Sequence, residues 1–79
     1  MEYDYLVDAT GETCPMPLLR AKQQLNKMNT GECVKVMASD AASVRDFASF
    51  ISLAGHELHS DIVPSSDGKD VFQYFIVKR

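Results

Sequence analysis

Cysteine is scarce in this chain, and its scarcity excludes several classes of protein. Cys14 and Cys33 are the only two cysteines among the 79 residues, which is too few for a disulfide-rich scaffold. Neither a C-x-x-C pair nor the ligand spacing of a zinc site occurs, so dithiol oxidoreductases and structural zinc domains are disfavoured. We therefore expect a protein with no metal and no cofactor.

The chain also lacks an excess of positive charge and a long apolar run. Its formal net charge is −3, whereas proteins that bind nucleic acid usually present a basic surface, so no direct contact with nucleic acid is expected. No apolar run approaches the roughly 18 residues that cross a bilayer, and the first five residues are polar and acidic, unlike a signal peptide. We expect a cytoplasmic protein, without membrane contact, that forms a single domain over residues 1–79.

The most informative feature is the placement of Cys14 before two prolines, Pro15 and Pro17. Prolines at alternate positions fit the first turn of a helix, where N–H groups have no intrahelical partner. We expect Cys14 at the helix entrance, Pro15 as the first helical residue and Pro17 as the third. The positive end of a helix favours thiolate, which indicates a presented nucleophile. The alternative is a small apolar filler beneath the helix, but a filler does not need the two prolines.

Hydrophobic periodicity predicts six elements in the order βαβαββ. Ser39 or Asp40 is expected to cap the second helix, and Gly55 to end it. The apolar stripe of that helix is predicted at Val44, Phe47, Ala48, Ile51 and Ala54. The predicted segments are a strand over Tyr5–Asp8, a helix over Pro15–Met28, a strand over Cys33–Ala38, the second helix, and strands over Glu57–Val63 and Val71–Val77.

This order predicts an α+β fold, a two-layer sandwich with a four-stranded mixed sheet. Two right-handed crossovers place both helices on one face if the strands are laid outward in one direction, and the last two strands form a hairpin. The strand over Val71–Val77 alternates poorly. Either it is a central strand whose outer face is half covered by its neighbours, or it carries an interaction surface. The protein is expected to be a monomer or a weak dimer.

Reactive and charged residues are expected at the carboxyl edge of the sheet, where the loops after parallel strands meet. One loop carries Cys14, and the other carries Ser39 and Asp40, with Arg45 and Asp46 about one and a half turns into the second helix. Those last two residues are either a solvated helix face or recognition residues.

The second cysteine is expected at the opposite end of the sheet. Crossing a strand takes about 15 to 20 Å, whereas a disulfide requires Cα atoms within about 7 Å, so Cys14 and Cys33 cannot pair within one chain. His56 is expected at that far end as well. A lone thiolate without a nearby base can still hold a transferable group through persulfide exchange.

At this point the sequence resembles the TusA/SirA-like sulfur-carrier family, whose members are small βαβαββ domains with a Cys-Pro-x-Pro motif. The resemblance implies that Cys14 accepts a sulfane sulfur from a cysteine desulfurase or a rhodanese-like donor and relays it to a downstream acceptor protein. By position it implies that Asp40, Arg45 and Asp46 lie near the docking surface, to which we add Pro15, Pro17 and Arg20 as partner-binding residues. The matching stretches are Asp8 to Pro17, Thr30 to Glu32, Ala38 to Asp40 with Arg45 and Asp46, and Gly55 to Leu58.

Two residues depart from the pattern of the tRNA-thiolating members. Thr13 stands where they carry arginine, and Met16 stands where they carry glutamate. The downstream product could therefore belong to tRNA thiolation, to a molybdenum cofactor enzyme or to other sulfur metabolism. Two rival hypotheses remain at this stage. One is a non-enzymatic regulatory or adaptor domain, and the other is direct RNA binding, against which the acidic charge balance argues.

Overall fold

The computed structural model describes residues 2–13, 15–64 and 70–79, and it confirms the order βαβαββ. The three later strands have the predicted bounds, and the first strand extends one residue further than predicted. Cys14 and most of the turn before the last strand lie outside the described residues. The elements are β1 (Tyr5–Ala9), α1 (Met16–Asn26), β2 (Cys33–Ala38), α2 (Ser43–Ala54), β3 (Glu57–Val63) and β4 (Val71–Val77).

The four strands form one mixed sheet in the order β1-β2-β4-β3. β1 and β2 are parallel, and β4 is antiparallel to both β2 and β3, so the predicted hairpin is confirmed. β4 lies between β2 and β3, so the strands do not follow chain order across the sheet. β4 is apolar on both faces and suits the centre, whereas residues 59–63 of β3 are exposed and suit an edge.

Both helices pack on the same face of the sheet and share one core with it. On that face the paired residues of β2 and β4 alternate with outward-facing ones, as the pleat of a strand requires. Neither described helix combines the length and the apolar character needed to cross a membrane. The buried core residues are Ala21 and Leu25 of α1, Met28 just after it, Val34, Val36 and Ala38 of β2, Phe47 of α2, and Tyr74 and Ile76 of β4.

The buried face of α2 differs from the predicted stripe. Ser43 and Phe47 are buried, whereas Val44 is 46% exposed and Ala48 is exposed. The cause lies in β4, because the Ser43 hydroxyl is 2.7 Å from the Tyr74 hydroxyl and the Phe47 ring stacks on the Tyr74 ring at 4.2 Å. These contacts rotate the helix so that Val44 and Ala48 face outward.

The other face of the sheet carries no helix in the described ranges. Phe75 of β4 is half-buried there, and the Lys35 ammonium lies 5.8 Å from its ring centre and 5.3 Å from that of Tyr3. Such cation–π contacts cover apolar rings with long aliphatic side chains. β4 is therefore a central strand whose outer face is half covered by its neighbours. This confirms the first of the two alternatives given for the poorly alternating strand.

Candidate functional site

The two neighbours of Cys14 mark the start of α1, although Cys14 itself lies outside the described residues. The Met16 N–H donates to the Thr13 carbonyl at 2.9 Å, and the Leu19 N–H donates to the Pro15 carbonyl at 3.0 Å. Pro15 is therefore the N-cap, and the prediction that it is the first helical residue is wrong by one position. Its φ and ψ of −98° and 15° lie outside the helix because the Met16 N–H closes a turn with Thr13 instead.

Pro17 is fully buried at the second helical position. Because this ring is buried, Pro17 can influence partner binding only through the backbone of the helix start. Its locked φ and missing N–H suit the first turn. Met16 and Leu19 are each 42% exposed beside it and are the accessible apolar side chains of that turn.

The loops that follow β1 and β2 meet at the carboxyl edge of the sheet, as predicted. The strands end as a pair at Ala9 and Ala38, and the Gly11 N–H then donates to the Ser39 hydroxyl oxygen at 2.8 Å. Gly11 has a φ of 82°, which favours glycine because it carries no Cβ. This bond fixes the segment that leads to Cys14 against the segment that leads to α2.

The β1 end of this loop is held by a compact carboxylate turn. Asp8 Oδ1 accepts hydrogen bonds from the Thr10 hydroxyl at 2.6 Å and from the Thr10 N–H at 3.0 Å. These bonds, with a smaller contribution from the Arg20 charge, lower the pKa of Asp8 below its ordinary value. Asp8 is therefore ionised at neutral pH and orders the loop through its charge.

Arg20 connects α1 to the same loop. Its guanidinium donates to Glu12 Oε1 at 2.5 Å, and Glu12 lies two residues before Cys14. The side chains of Arg20 and Glu12 are 47% and 28% exposed, so the pair sits at the surface and is worth little in stability. Arg20 thus holds the cysteine-bearing segment against the helix that follows it.

Asp40 organises the turn before α2, and Arg45 and Asp46 follow at the start of the helix. Asp40 Oδ1 accepts from the Ala42 N–H at 3.0 Å, and the Asp40 carbonyl accepts from the Ser43 N–H at 3.0 Å. The N-cap is Ala42, so the prediction that Ser39 or Asp40 caps the helix is wrong. Because the helix begins at Ser43, Arg45 and Asp46 lie within about one turn of its start, nearer the edge than predicted.

A shallow groove of about 550 Å³, which the apolar periodicity does not predict, opens beside these residues. Its apolar wall is formed by Val44 and Ala48, the two residues that were predicted to be in the core, together with small side chains of the preceding turn. Arg45 and Asp46 provide its charged wall. Apolar periodicity missed this face because the buried residue at the helix start is the polar Ser43, which is held by the Tyr74 hydroxyl.

Comparison with known proteins decides the family. The family profile described as Sulfurtransferase TusA matches residues 5–78. This chain belongs to the TusA family. It is 46% identical over 57 residues to the sulfur carrier protein TusA of Allochromatium vinosum, covering 72% of this chain and 75% of that protein.

Two further relatives extend the match along more than nine-tenths of the chain. The sulfur carrier protein TusA of Pseudomonas putida is 33% identical over 76 residues, covering 96% of this chain and 90% of that protein. The crystal structure of a SirA-like protein from Desulfitobacterium hafniense superposes with a TM-score of 0.74 at 27% identity, covering 94% of this chain and 96% of that one. As a TusA-family member, this protein has a sulfur-carrier role and interacts with sulfur donor and acceptor proteins.

In this TusA-family chain, Cys33 lies at the amino edge of the sheet, opposite the loops just described. Cys33 is only 6% exposed. Its burial, reinforced by the charges of Asp4 and Glu57, raises the pKa of the thiol. His56 precedes β3 at the same edge, where its Nδ1 accepts from the Arg79 N–H at 3.0 Å. The expected remoteness of both residues from the carboxyl edge is confirmed.

Within the described ranges, no three His, Cys, Asp or Glu side chains lie close enough together to hold a metal ion.

Proposed function

We propose that Cys14 carries a sulfane sulfur as a persulfide between a donor and an acceptor protein. The observation that supports this most is the burial and low reactivity of the other thiol, that of Cys33. Cys33 is buried, carries a raised pKa and lies at the far edge of the sheet, so it is a poor nucleophile. In a family of sulfur carriers, that leaves Cys14 as the residue suited to the transfer.

The transfer is a thiolate displacement with no net oxidation. The Cys14 thiolate attacks the outer sulfur of a persulfide on the donor, a new S–S bond forms on Cys14, and the donor's S–S bond breaks to release its cysteine thiolate. The second transfer repeats the step with an acceptor thiolate as the attacking group. Both steps conserve electrons, so they need no cofactor and no oxidant.

The start of α1 supports this chemistry at the residue next to Cys14. Pro15 is the N-cap of α1, and the positive end of the helix dipole favours an anion nearby. α1 has no acidic residue in its first turn to oppose that effect. Thr13, which precedes the motif, and the exposed Met16, which lies within it, are both uncharged.

Partner recognition is proposed for the carboxyl edge. Pro15 and Arg20 belong to the cysteine side of this edge, and Asp40, Arg45 and Asp46 belong to the α2 side. The groove beside Val44 and Arg45 offers apolar contact and one cation to a partner's active-site loop. The donor class is a cysteine desulfurase or a rhodanese-like protein, and the acceptor feeds tRNA thiolation, a molybdenum cofactor enzyme or another branch of sulfur metabolism.

We also propose that the protein acts in the cytoplasm as a single domain over residues 1–79, as a monomer or a weak dimer. A cysteine desulfurase with its substrate cysteine supplies persulfide sulfur without any metal at the carrier. The proposal needs no direct contact with nucleic acid or membrane.

The docking assignment is tested by the rate of sulfur loading. The protein is mixed with a cysteine desulfurase and ³⁵S-cysteine, and bound label is followed on non-reducing gels for Arg45→Glu and for Lys22→Glu. Both variants change the net charge equally, but only Arg45 lines the groove at the carboxyl edge. We expect Arg45→Glu to slow loading about tenfold, as loss of a charged docking contact does, and Lys22→Glu to load like the wild type. Equal rates for both variants would contradict the docking surface.

A further inference from the structure

We infer that Arg20 keeps the Cys14 thiol reactive by neutralising Glu12, the carboxylate that lies nearest to Cys14 in the chain. The inference rests on the proposed function, in which Cys14 is the thiol that carries the sulfur. Arg20 is then a positioning residue, since it acts through Glu12 and takes no part in the sulfur exchange itself.

The segment that leads to Cys14 is acidic. Its carboxylates are Glu2, Asp4, Asp8 and Glu12, and residues 1–19 contain no lysine or arginine. A carboxylate near a thiol raises the pKa of the thiol, because the two negative charges repel each other. The segment by itself therefore opposes the thiolate that persulfide exchange requires. Arg20 is the first basic side chain in the chain.

Glu12 is close enough to Cys14 for its charge to act on the thiol. Consecutive Cα atoms are about 3.8 Å apart, so the Cα atoms of residues 12 and 14 lie within about 7.6 Å of each other in any conformation. A charge about 9 Å from a thiol, in surroundings between bulk water and a protein surface, shifts the pKa of that thiol by about 0.3 to 1 pH unit. A shift of that size changes the thiolate fraction at neutral pH severalfold.

Glu12 depends on Arg20 to balance its charge. The Arg20 guanidinium donates to Glu12 Oε1 at 2.5 Å. The second oxygen, Oε2, is shielded from solvent and has no hydrogen-bond partner in the described ranges. Because water reaches only part of this carboxylate, water and salt screen its field less than they screen that of a fully exposed one. The loss of Arg20 would leave that field to act on the neighbouring thiol.

The other charges at the carboxyl edge do not replace Arg20. The charge of Arg20 also reaches Asp8 near the end of β1, so the guanidinium serves two carboxylates. Residues 39–46, on the α2 side, carry one cation, Arg45, and two carboxylates, Asp40 and Asp46. Without Arg20, acidic side chains would outnumber basic ones on both sides of the edge.

The test is the pH dependence of Cys14 alkylation by iodoacetamide, in which the thiolate attacks carbon and iodide leaves. The variants are Arg20→Gln, Glu12→Gln, the double variant, Arg20→Lys and Lys22→Gln. Lys22→Gln is the matched control, because it removes the same charge from the same helix, but its ammonium lies 5.2 Å from the Phe50 ring. Alkylation is measured by mass spectrometry on the tryptic peptide that contains Cys14. Trypsin cleaves at Lys27, between the two cysteines, in every variant.

The two single variants should shift the midpoint of alkylation in opposite directions. We expect Arg20→Gln to raise it by about 0.3 to 1 pH unit, with alkylation two- to tenfold slower below the midpoint, and Glu12→Gln to lower it by a similar amount. The double variant and the charge-conserving Arg20→Lys should stay close to the wild type. Lys22→Gln should shift the midpoint less than half as far as Arg20→Gln.

A purely structural tie between Arg20 and Glu12 predicts a different pattern. Loss of either partner would then loosen the same segment, so both single variants would shift the midpoint in the same direction. That result would overturn the inference, as would equal shifts in Arg20→Gln and Lys22→Gln or unchanged midpoints in all variants. Alkylation involves no sulfur donor. Opposite shifts without sulfur gain on Cys14 would therefore contradict the carrier proposal alone, and sulfur gain with unchanged midpoints would contradict this inference alone.

Discussion

The hydroxyl pair between Ser43 and Tyr74 anchors the first turn of α2 to the central strand. The two oxygens are 2.7 Å apart, and both residues are 2% exposed. Tyr74→Phe leaves the Ser43 hydroxyl in a site that water cannot reach. An orphaned buried hydroxyl costs about 1–3 kcal/mol, so the free energy of unfolding should fall by that amount.

The matched variants separate the hydrogen bond from packing. Ser43→Ala strands the Tyr74 hydroxyl and should cost about as much as Tyr74→Phe. The double variant removes both polar groups and keeps the stacked ring on Phe47 at 4.2 Å. We therefore expect the double variant to lose clearly less stability than the sum of the two single losses.

Urea unfolding of the four proteins measures this coupling, because a small domain unfolds in one cooperative step. Losses that add to within about 0.5 kcal/mol would refute the reasoning, since such additivity means the two groups do not interact. Slower sulfur loading in the single variants, measured where they remain folded, would further link this anchor to Arg45 on the same turn.

Three further perturbations test other contacts. Lys78→Met should lower the free energy of unfolding by about 1–2 kcal/mol, because the ammonium donates to the Leu25 and Met28 carbonyls at 2.7 Å each near the end of α1, and urea unfolding checks it. Gly55→Ala should cost about 1 kcal/mol in thermal unfolding because φ is 79°, and an equal loss from Gly55→Asn would argue against that cause. The pKa of Glu57 is lowered, first by the His59 hydrogen bond and then by Arg79, so its contribution is present above about pH 4.3 and is lost as the pH falls through the lower folded pKa. Acid titration of stability should therefore be steeper for the wild type than for Glu57→Gln, and identical curves would contradict it.

Local hydrophobic periodicity predicted most of the helices and strands. The features it did not predict, the strand order and the buried face of α2, depend on contacts between residues that are distant in sequence. Alternation at Val34 and Val36 was enough to predict the bounds of β2, because a half-buried strand repeats every two residues. The order of the strands was not predictable in the same way. β4 enters between β2 and β3 through pairings such as Val34 with Ile76, which no local pattern encodes.

The same distinction applies to the site. The meeting of the two loops followed from parallel strands, and the bond from Gly11 to Ser39 confirmed it. The groove beside Val44 did not follow from periodicity, because the rotation of α2 depends on a hydroxyl 31 residues away in sequence. Apolar periodicity predicts the wrong helix face when a polar residue such as Ser43 is buried by a partner that is distant in sequence.

The most direct test of the central claim is intact mass after incubation with a cysteine desulfurase and free cysteine. Wild type, Cys14→Ser and Cys33→Ser are compared under identical conditions. The account predicts a gain of one sulfur atom, roughly 32 Da, on the wild type and on Cys33→Ser but not on Cys14→Ser. A gain that persists in Cys14→Ser and disappears in Cys33→Ser would contradict it.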